Sequence, residues 1–147
     1  MMTTYPPAHF NVVEQGQMNG IRWFIAESAW HRRYPEKCGD YIPHHGYVEL
    51  PDGHPYRDIP DNEFGFNDDR MNDIQVHGGI TYNRDNIWGF DIGHSGDYTP
   101  WLASDNDSLP AVLFVQGHRW TLDEVRAETL DLAHQIDQAR NYHTYTI

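Results

Sequence analysis

The hydrophobic period of this chain changes along its length, from two over most of the sequence to about 3.6 near its end, and that change limits the folds open to it. Short runs that alternate apolar and polar residues make strands with a buried face, and a terminal run with helical spacing makes a helix to cover them. The helix is the clearer element. Thr121 and Glu124 have capping-box spacing, and Leu122, Val125, Leu132, Ala133 and Ile136 recur at helical intervals among charged positions. This predicts an amphipathic helix of roughly five turns over residues 121–140.

The strands are shorter. Over residues 20–26, Ile21, Trp23 and Ile25 alternate with Arg22 and Phe24, and residues 10–13 are expected to pair with this run through the connection Q-G-Q-M-N-G. Residues 27–43 read as a loop or a short helical turn. A further strand is expected over residues 46–50, running into the turn residues of P-D-G-H-P. Residues 56–73 read as an exposed acidic loop anchored by Phe64 and Phe66. In residues 74–82, Ile74, Val76, Ile80 and Tyr82 fall on one face and Gln75, His77 and Thr81 on the other, which predicts a strand with His77 turned away from the core. The link N-R-D-N leads to a partner strand over residues 87–92, closing an antiparallel hairpin. Residues 111–115 read as a strand or a helical turn. The expected fold is α+β, a mainly antiparallel sheet with the C-terminal helix packed on one face, forming a single domain over residues 1–147.

Charge narrows the classes of function. Ten Lys and Arg against 22 Asp and Glu give a formal charge of -12, which repels nucleic-acid phosphates and argues against non-specific DNA or RNA binding, while suiting a basic partner surface. Aromatic residues make up 14% of the chain, so rings supply much of the expected core volume. The single cysteine, Cys38, excludes an internal disulfide, and M-M-T-T-Y-P-P has neither the basic start nor the apolar run of a signal peptide. No stretch approaches the apolar length of a membrane span, about 18 residues. A cytoplasmic, reducing setting away from membranes is the expectation.

Chemistry concentrates in V-H-G-G-I-T-Y and I-W-G-F-D-I-G-H-S-G-D-Y, which gather His77, Asp91, His94 and Asp97 among glycines. Imidazole nitrogen and carboxylate oxygen are ligands for divalent ions such as Zn, Mn or Mg, and glycine permits tight bends and close approach. The expected site has His77, Asp91 and His94 around a divalent metal ion, Asp91 facing His77 across the hairpin. Asp97 orients an imidazole or joins in catalysis, and His54 in G-H-P supplies a further ligand or a general acid. The same Asp residues, beside glycines, also suit turns closed by bonds to their own backbone. Of the vicinal His44 and His45, alternation lets at most one face the site. Tyr82, Trp88 and Trp101 are candidates for stacking on a substrate base. Ser95 lacks a nucleophile elbow, and no phosphate-cradling glycine pattern is present.

The strings G-Y-V-E-L-P-D-G-H-P, V-H-G-G-I-T-Y, G-F-D-I-G-H-S-G-D and E-V-R-A-E-T-L-D-L-A-H-Q, in this order, resemble a small family of uncharacterised proteins encoded by bacteriophages and prophages. His54, His77, Asp91, His94 and Asp97 stand at the matching places, while Ile92 replaces a Cys and Ile87 an aromatic residue of the usual pattern. The resemblance implies a protein of early infection that edits, degrades or shields something in the bacterial cytoplasm. Two classes of function follow. One is a metal-dependent hydrolase acting on a small-molecule phosphoester or nucleotide. The other is a non-enzymatic acidic inhibitor that binds a basic host protein.

Overall fold

The computed structural model describes residues 5–62, 69–103 and 112–140. Strands β1 (Asn11–Met18) and β2 (Ile21–Glu27) form the first hairpin, turned by Asn19 and Gly20, both at positive φ (50° and 83°). Asn-Gly suits a tight two-residue hairpin because both residues tolerate the left-handed region. The strand therefore extends well beyond residues 10–13 and absorbs most of the segment expected to be a connection. Gly16 is what permits this: a Cβ there would lie 2.6 Å from the Trp23 ring, which rests over the glycine.

Helical turns α1 (Trp30–Arg33) and α2 (Pro35–Cys38) fill the expected loop, and β3 (His44–Glu49) follows. The chain then runs through two 3-10 turns, Pro55–Asp58 and Asp69–Asp73, whose Tyr56 and Met71 are buried, as is Ile59 between them. These side chains tie down a segment expected to be exposed; Phe64 and Phe66, its expected anchors, lie outside the described residues. A second hairpin joins β4 (Tyr82–Arg84) to β5 (Ile87–Phe90) through Asp85 and Asn86, again both at positive φ. The sheet is antiparallel, in the order β1-β2-β3-β5-β4.

The strand expected over residues 74–82 is confined to its last residue. Gly78 and Gly79 take φ values of 69° and 79°, the Gly79 amide donates to the Val76 carbonyl at 2.8 Å, and the backbone turns instead of extending. Ile74 and Ile80 are still buried, so the alternating pattern reflects core anchors on a turning loop.

Helix α3 (Val112–Val115) is one turn, with Val112, Leu113 and Val115 exposed; Ala111 lies outside the described residues. Helix α4 (Leu122–Ala139) begins as expected. Thr121 Oγ1 accepts from the Glu124 amide at 3.2 Å, and Glu124 Oε1 accepts from the Thr121 amide at 2.9 Å. Its buried face carries Val125, Thr129, Leu132, Ala133, Ile136 and Ala139. That face lies so close to β3 that a Cβ on Gly46 would fall 2.0 Å from Thr129 Oγ1 and 2.6 Å from the Phe90 ring. Strand alternation sends Trp23, Val48 and Trp88 into the core shared with α4, and Phe24 and Tyr47 to the opposite face. There Phe10, Phe24, Tyr47 and Tyr82 pack ring against ring, with Phe24 stacked on Tyr47 at 4.9 Å. The fold is thus α+β, an antiparallel sheet with its C-terminal helix on one face. Among the described residues no helix is long and apolar enough to cross a membrane.

Candidate functional site

Where β2 ends, β3 begins and β5 ends, three central strands finish at the same edge of the sheet. Beyond β5, Asp91 and Asp97 first close their own loop. Asp91 Oδ1 accepts from the Gly93 amide at 3.1 Å, and Asp97 Oδ2 from the His94 amide at 3.0 Å. The turn-closing reading of these carboxylates is therefore correct, and each also meets an imidazole.

Asp97 is buried, with only 3% of its side chain exposed, so its charge requires several donors. His77 Nε2 donates to Oδ2 at 2.7 Å and Trp120 Nε1 to Oδ1 at 3.0 Å, in addition to the His94 amide. The segment following α3 clamps this loop from outside. The His118 amide donates to the Gly96 carbonyl, and Gly117 lies against Asp97 so closely that a Cβ would be 2.2 Å from its backbone. His77 is anchored twice more, by its amide on Glu128 Oε1 of α4 at 2.9 Å and by ring packing on Trp120.

His94 is placed differently. Its Nε2 lies 2.8 Å from Asp91 Oδ1, yet out of line for a directed hydrogen bond, and this buried nitrogen has no other partner. The angular failure decides that this short approach is not a satisfied hydrogen bond. The ring sits over Gly78, where a Cβ would come within 2.1 Å of Nε2. H-G-G thus acquires a physical reading, since Gly78 both turns the chain and leaves space for the second imidazole. The His77 and His94 rings meet edge to face, with centroids 5.5 Å apart.

The four residues expected to converge do gather, but as two imidazole–carboxylate pairs, His77 with Asp97 and His94 with Asp91. The expected set of His77, Asp91 and His94 around one metal ion is not the arrangement adopted, because the Asp97 carboxylate captures His77 and Asp91 does not face it across a hairpin. Among the described residues, no three His, Cys, Asp or Glu side chains are disposed to hold a metal ion.

The remaining candidates lie elsewhere. His54 is buried, and its ring is fully used: Nε2 donates to the Ile136 carbonyl at 2.8 Å and Nδ1 accepts from the Tyr56 amide at 3.0 Å. It ties a loop to α4 and has no nitrogen left for acid catalysis. Trp88 is wholly buried, stacked on Tyr56, and Tyr82 belongs to the aromatic cluster on the far face, so neither offers a ring to a substrate in this site. Trp101 is 5% exposed and stacked on Trp30 at 4.1 Å, so its ring is not open to a substrate.

Sequence reasoning missed Trp120 and Glu128, and left His45 as one of a vicinal pair of which at most one faces the site. His45 directly precedes Gly46 in β3, and Asp91 directly follows Phe90, the partner of Gly46 in β5. The Nε2 of His45 is buried without a partner, its Nδ1 is 3.4 Å from the Tyr47 hydroxyl, and the Trp30 ring stands edge-on at 5.2 Å. Burial above all holds its pKa down to about 4, against the upward pull of Asp91, with His44 and His94 adding to the depression. Trp120 and Glu128 are brought in by tertiary packing and had no local signal.

Beside His94 opens a cleft of about 310 Å³ lined by Gly93, His94, Ser95, Asp97, Leu113 and Phe114, among others. Its size is at the lower end of small-ligand sites. No protein-family model, curated protein or solved structure matches the chain.

Proposed function

We propose that this chain is a small-molecule hydrolase, acting on a phosphoester such as that of a nucleotide in the bacterial cytoplasm. The observation that carries the reading is the pairing of two imidazoles with two carboxylates, rings 5.5 Å apart, of which His94 and Asp97 line a small cleft. His77, oriented by Asp97 and Trp120, is the proton carrier. It takes a proton from the attacking water as the new phosphorus–oxygen bond forms, and the departing alcohol oxygen regains a proton as its bond to phosphorus breaks. His94, backed by Asp91, contacts the phosphoryl group from the cleft wall. A cleft of about 310 Å³ is of small-molecule size, and a charge of -12 disfavours a nucleic-acid polymer. The viral resemblance of the motifs supports the cellular setting.

The acidic-inhibitor alternative draws less support, because several carboxylates of α4 are already engaged by the protein's own cations. Arg126 binds Glu14 and Asp123, Arg140 meets Asp137, and His118 pairs with Glu124. The test is turnover of a panel of nucleotides and simple phosphoesters by the purified chain. His77→Ala and His94→Ala should each reduce it by a factor of about 10² to 10⁴ while the melting temperature holds. Absence of turnover across the panel, or full activity in either variant, overturns the proposal.

A further inference from the structure

Seven large apolar side chains are exposed among the described residues, and four of them, Leu102, Val112, Leu113 and Val115, fall on the 3-10 turn Pro100–Leu102 and on α3. Apolar exposure gathered in one place marks a binding surface, whereas scattered apolar residues need no explanation. Two of the four, Leu102 and Leu113, line the cleft of about 310 Å³ together with the half-buried Phe114, on the same space as His94 and Asp97. Main-chain bonds fix this wall to the loop that carries those two residues. The Thr99 amide donates to the Phe114 carbonyl at 2.7 Å, the Tyr98 amide to the His118 carbonyl at 2.9 Å, and the His118 amide to the Gly96 carbonyl at 2.7 Å. The described lining of the cleft includes no Lys or Arg. Lys37, which donates to the Ala103 carbonyl next to Leu102, is not part of that lining.

We infer that the cleft selects phosphoesters of an apolar alcohol, alkyl or aryl, that carry a single phosphate, with Leu102, Leu113 and Phe114 as the residues that set the preference. The inference rests on the proposed hydrolase activity, whose substrate class it narrows. A phosphoryl group at His94 places the esterified alcohol along the remainder of the cleft, where the side chains are those of Leu102, Leu113 and Phe114. Moving apolar surface of the alcohol and of these three side chains out of water favours binding in proportion to the area covered. A second or third phosphate would stand against the same side chains, stripped of water and with no ammonium or guanidinium in the described lining to replace it. The charge of -12 adds to that penalty at longer range. A single phosphate, by contrast, has the His94 imidazole beside it and keeps the apolar wall for its alcohol.

The test separates binding from turnover. Butyl-, pentyl- and hexylphosphonate, whose carbon–phosphorus bond resists hydrolysis, are titrated calorimetrically into the 147-residue chain. Affinity should rise about threefold with each added methylene, and a variant carrying both Leu102→Ser and Leu113→Ser should cut that step to below about twofold. These side chains are 47% and 56% exposed in the free protein, so the thermal melt of the variant should match that of the unsubstituted chain. His94→Asn should weaken all three ligands by a common factor and leave the step intact. Tripolyphosphate at equal concentration should not displace hexylphosphonate. No binding of hexylphosphonate, affinity that is flat with chain length, an undiminished step in the double variant, or displacement by tripolyphosphate overturns the inference. If the series binds as expected while no phosphoester is turned over, the hydrolase reading falls and the apolar subsite stands. If alkyl phosphates are hydrolysed at rates and affinities indifferent to chain length, the hydrolase reading stands and this inference falls.

Discussion

His54 and His94 are the same side chain in two regions that differ in how completely polar groups are satisfied. Beneath α4, His54 has both ring nitrogens bonded to backbone, and Thr129 donates its hydroxyl to the Val125 carbonyl at 2.7 Å. At the sheet end, His45 and His94 each bury a nitrogen without a partner, and His31 does so beside Glu27, which its other nitrogen approaches at 3.4 Å. A protein interior that can satisfy one histidine so fully has no physical need to leave others orphaned. The contrast separates a helix-covered region whose polar groups are satisfied from a sheet end whose imidazoles are not, which is the difference the proposed function draws on.

Substitutions break this comparison in opposite ways. The largest expected effect is the loss of turnover in His94→Ala, with stability retained or raised because an unsatisfied group is removed. Next comes Gly46→Ala, which drives a methyl group into Thr129 Oγ1 and the Phe90 ring where the helix meets β3. Overpacking of this kind costs about 3 kcal/mol, measurable as a lower denaturant midpoint. Tolerance of alanine at Gly46 would mean that α4 does not sit against β3 as described.

How much of this was legible beforehand depends on how local each cause is. The helix was legible because its capping box and buried stripe lie within one segment. The hairpin turn at Asn19 and Gly20 carried an equally local signal, yet polar residues and a glycine in Gln15–Met18 hid the strand before it; Gly16 belongs there because Trp23 covers it. Residues 74–82 misled because alternation reports burial, and Ile74 and Ile80 are buried from a turning loop as effectively as from a strand. In the site, the gathering of His77, Asp91, His94 and Asp97 was legible from composition, but their pairing was not. The pairing depends on Gly78 admitting the His94 ring and on Trp120 reaching Asp97.

A milder test uses pH. Burial foremost lowers the pKa of His54, and it does the same for His44. The unfolded chain therefore holds more protons than the folded one once pH falls into the ordinary imidazole range. Stability contributed by the neutral, bonded His54 is present above that range and is lost progressively as pH drops through it toward the folded pKa. Thermal melts from about pH 7.5 down to about pH 5.5 should show declining stability, with a shallower decline in His54→Gln, whose side chain does not titrate. An equal slope in the variant would remove His54 from the account. At neutral pH, His54→Ala should cost about 2 kcal/mol, because the Ile136 carbonyl and the Tyr56 amide lose their partners in a buried place.

The smallest effect sharpens the comparison at the entrance to α4, where stability and site are joined by one short segment. Thr121 caps the helix through the Glu124 amide, and Glu124 also pairs with His118 at 2.6 Å. The neighbouring Trp120 donates to Asp97, and the His118 backbone bonds to Gly96 and Tyr98. Thr121→Ala removes the acceptor for one amide at the helix start, an expected loss of about 1 kcal/mol. Since Trp120 and the His118 backbone contacts are untouched, turnover should be unchanged at temperatures well below the melt. If the variant instead loses activity while remaining folded, the helix start itself positions Asp97 and His77, and the division between a stabilising helix and a reactive sheet end would have to be drawn beyond residue 121.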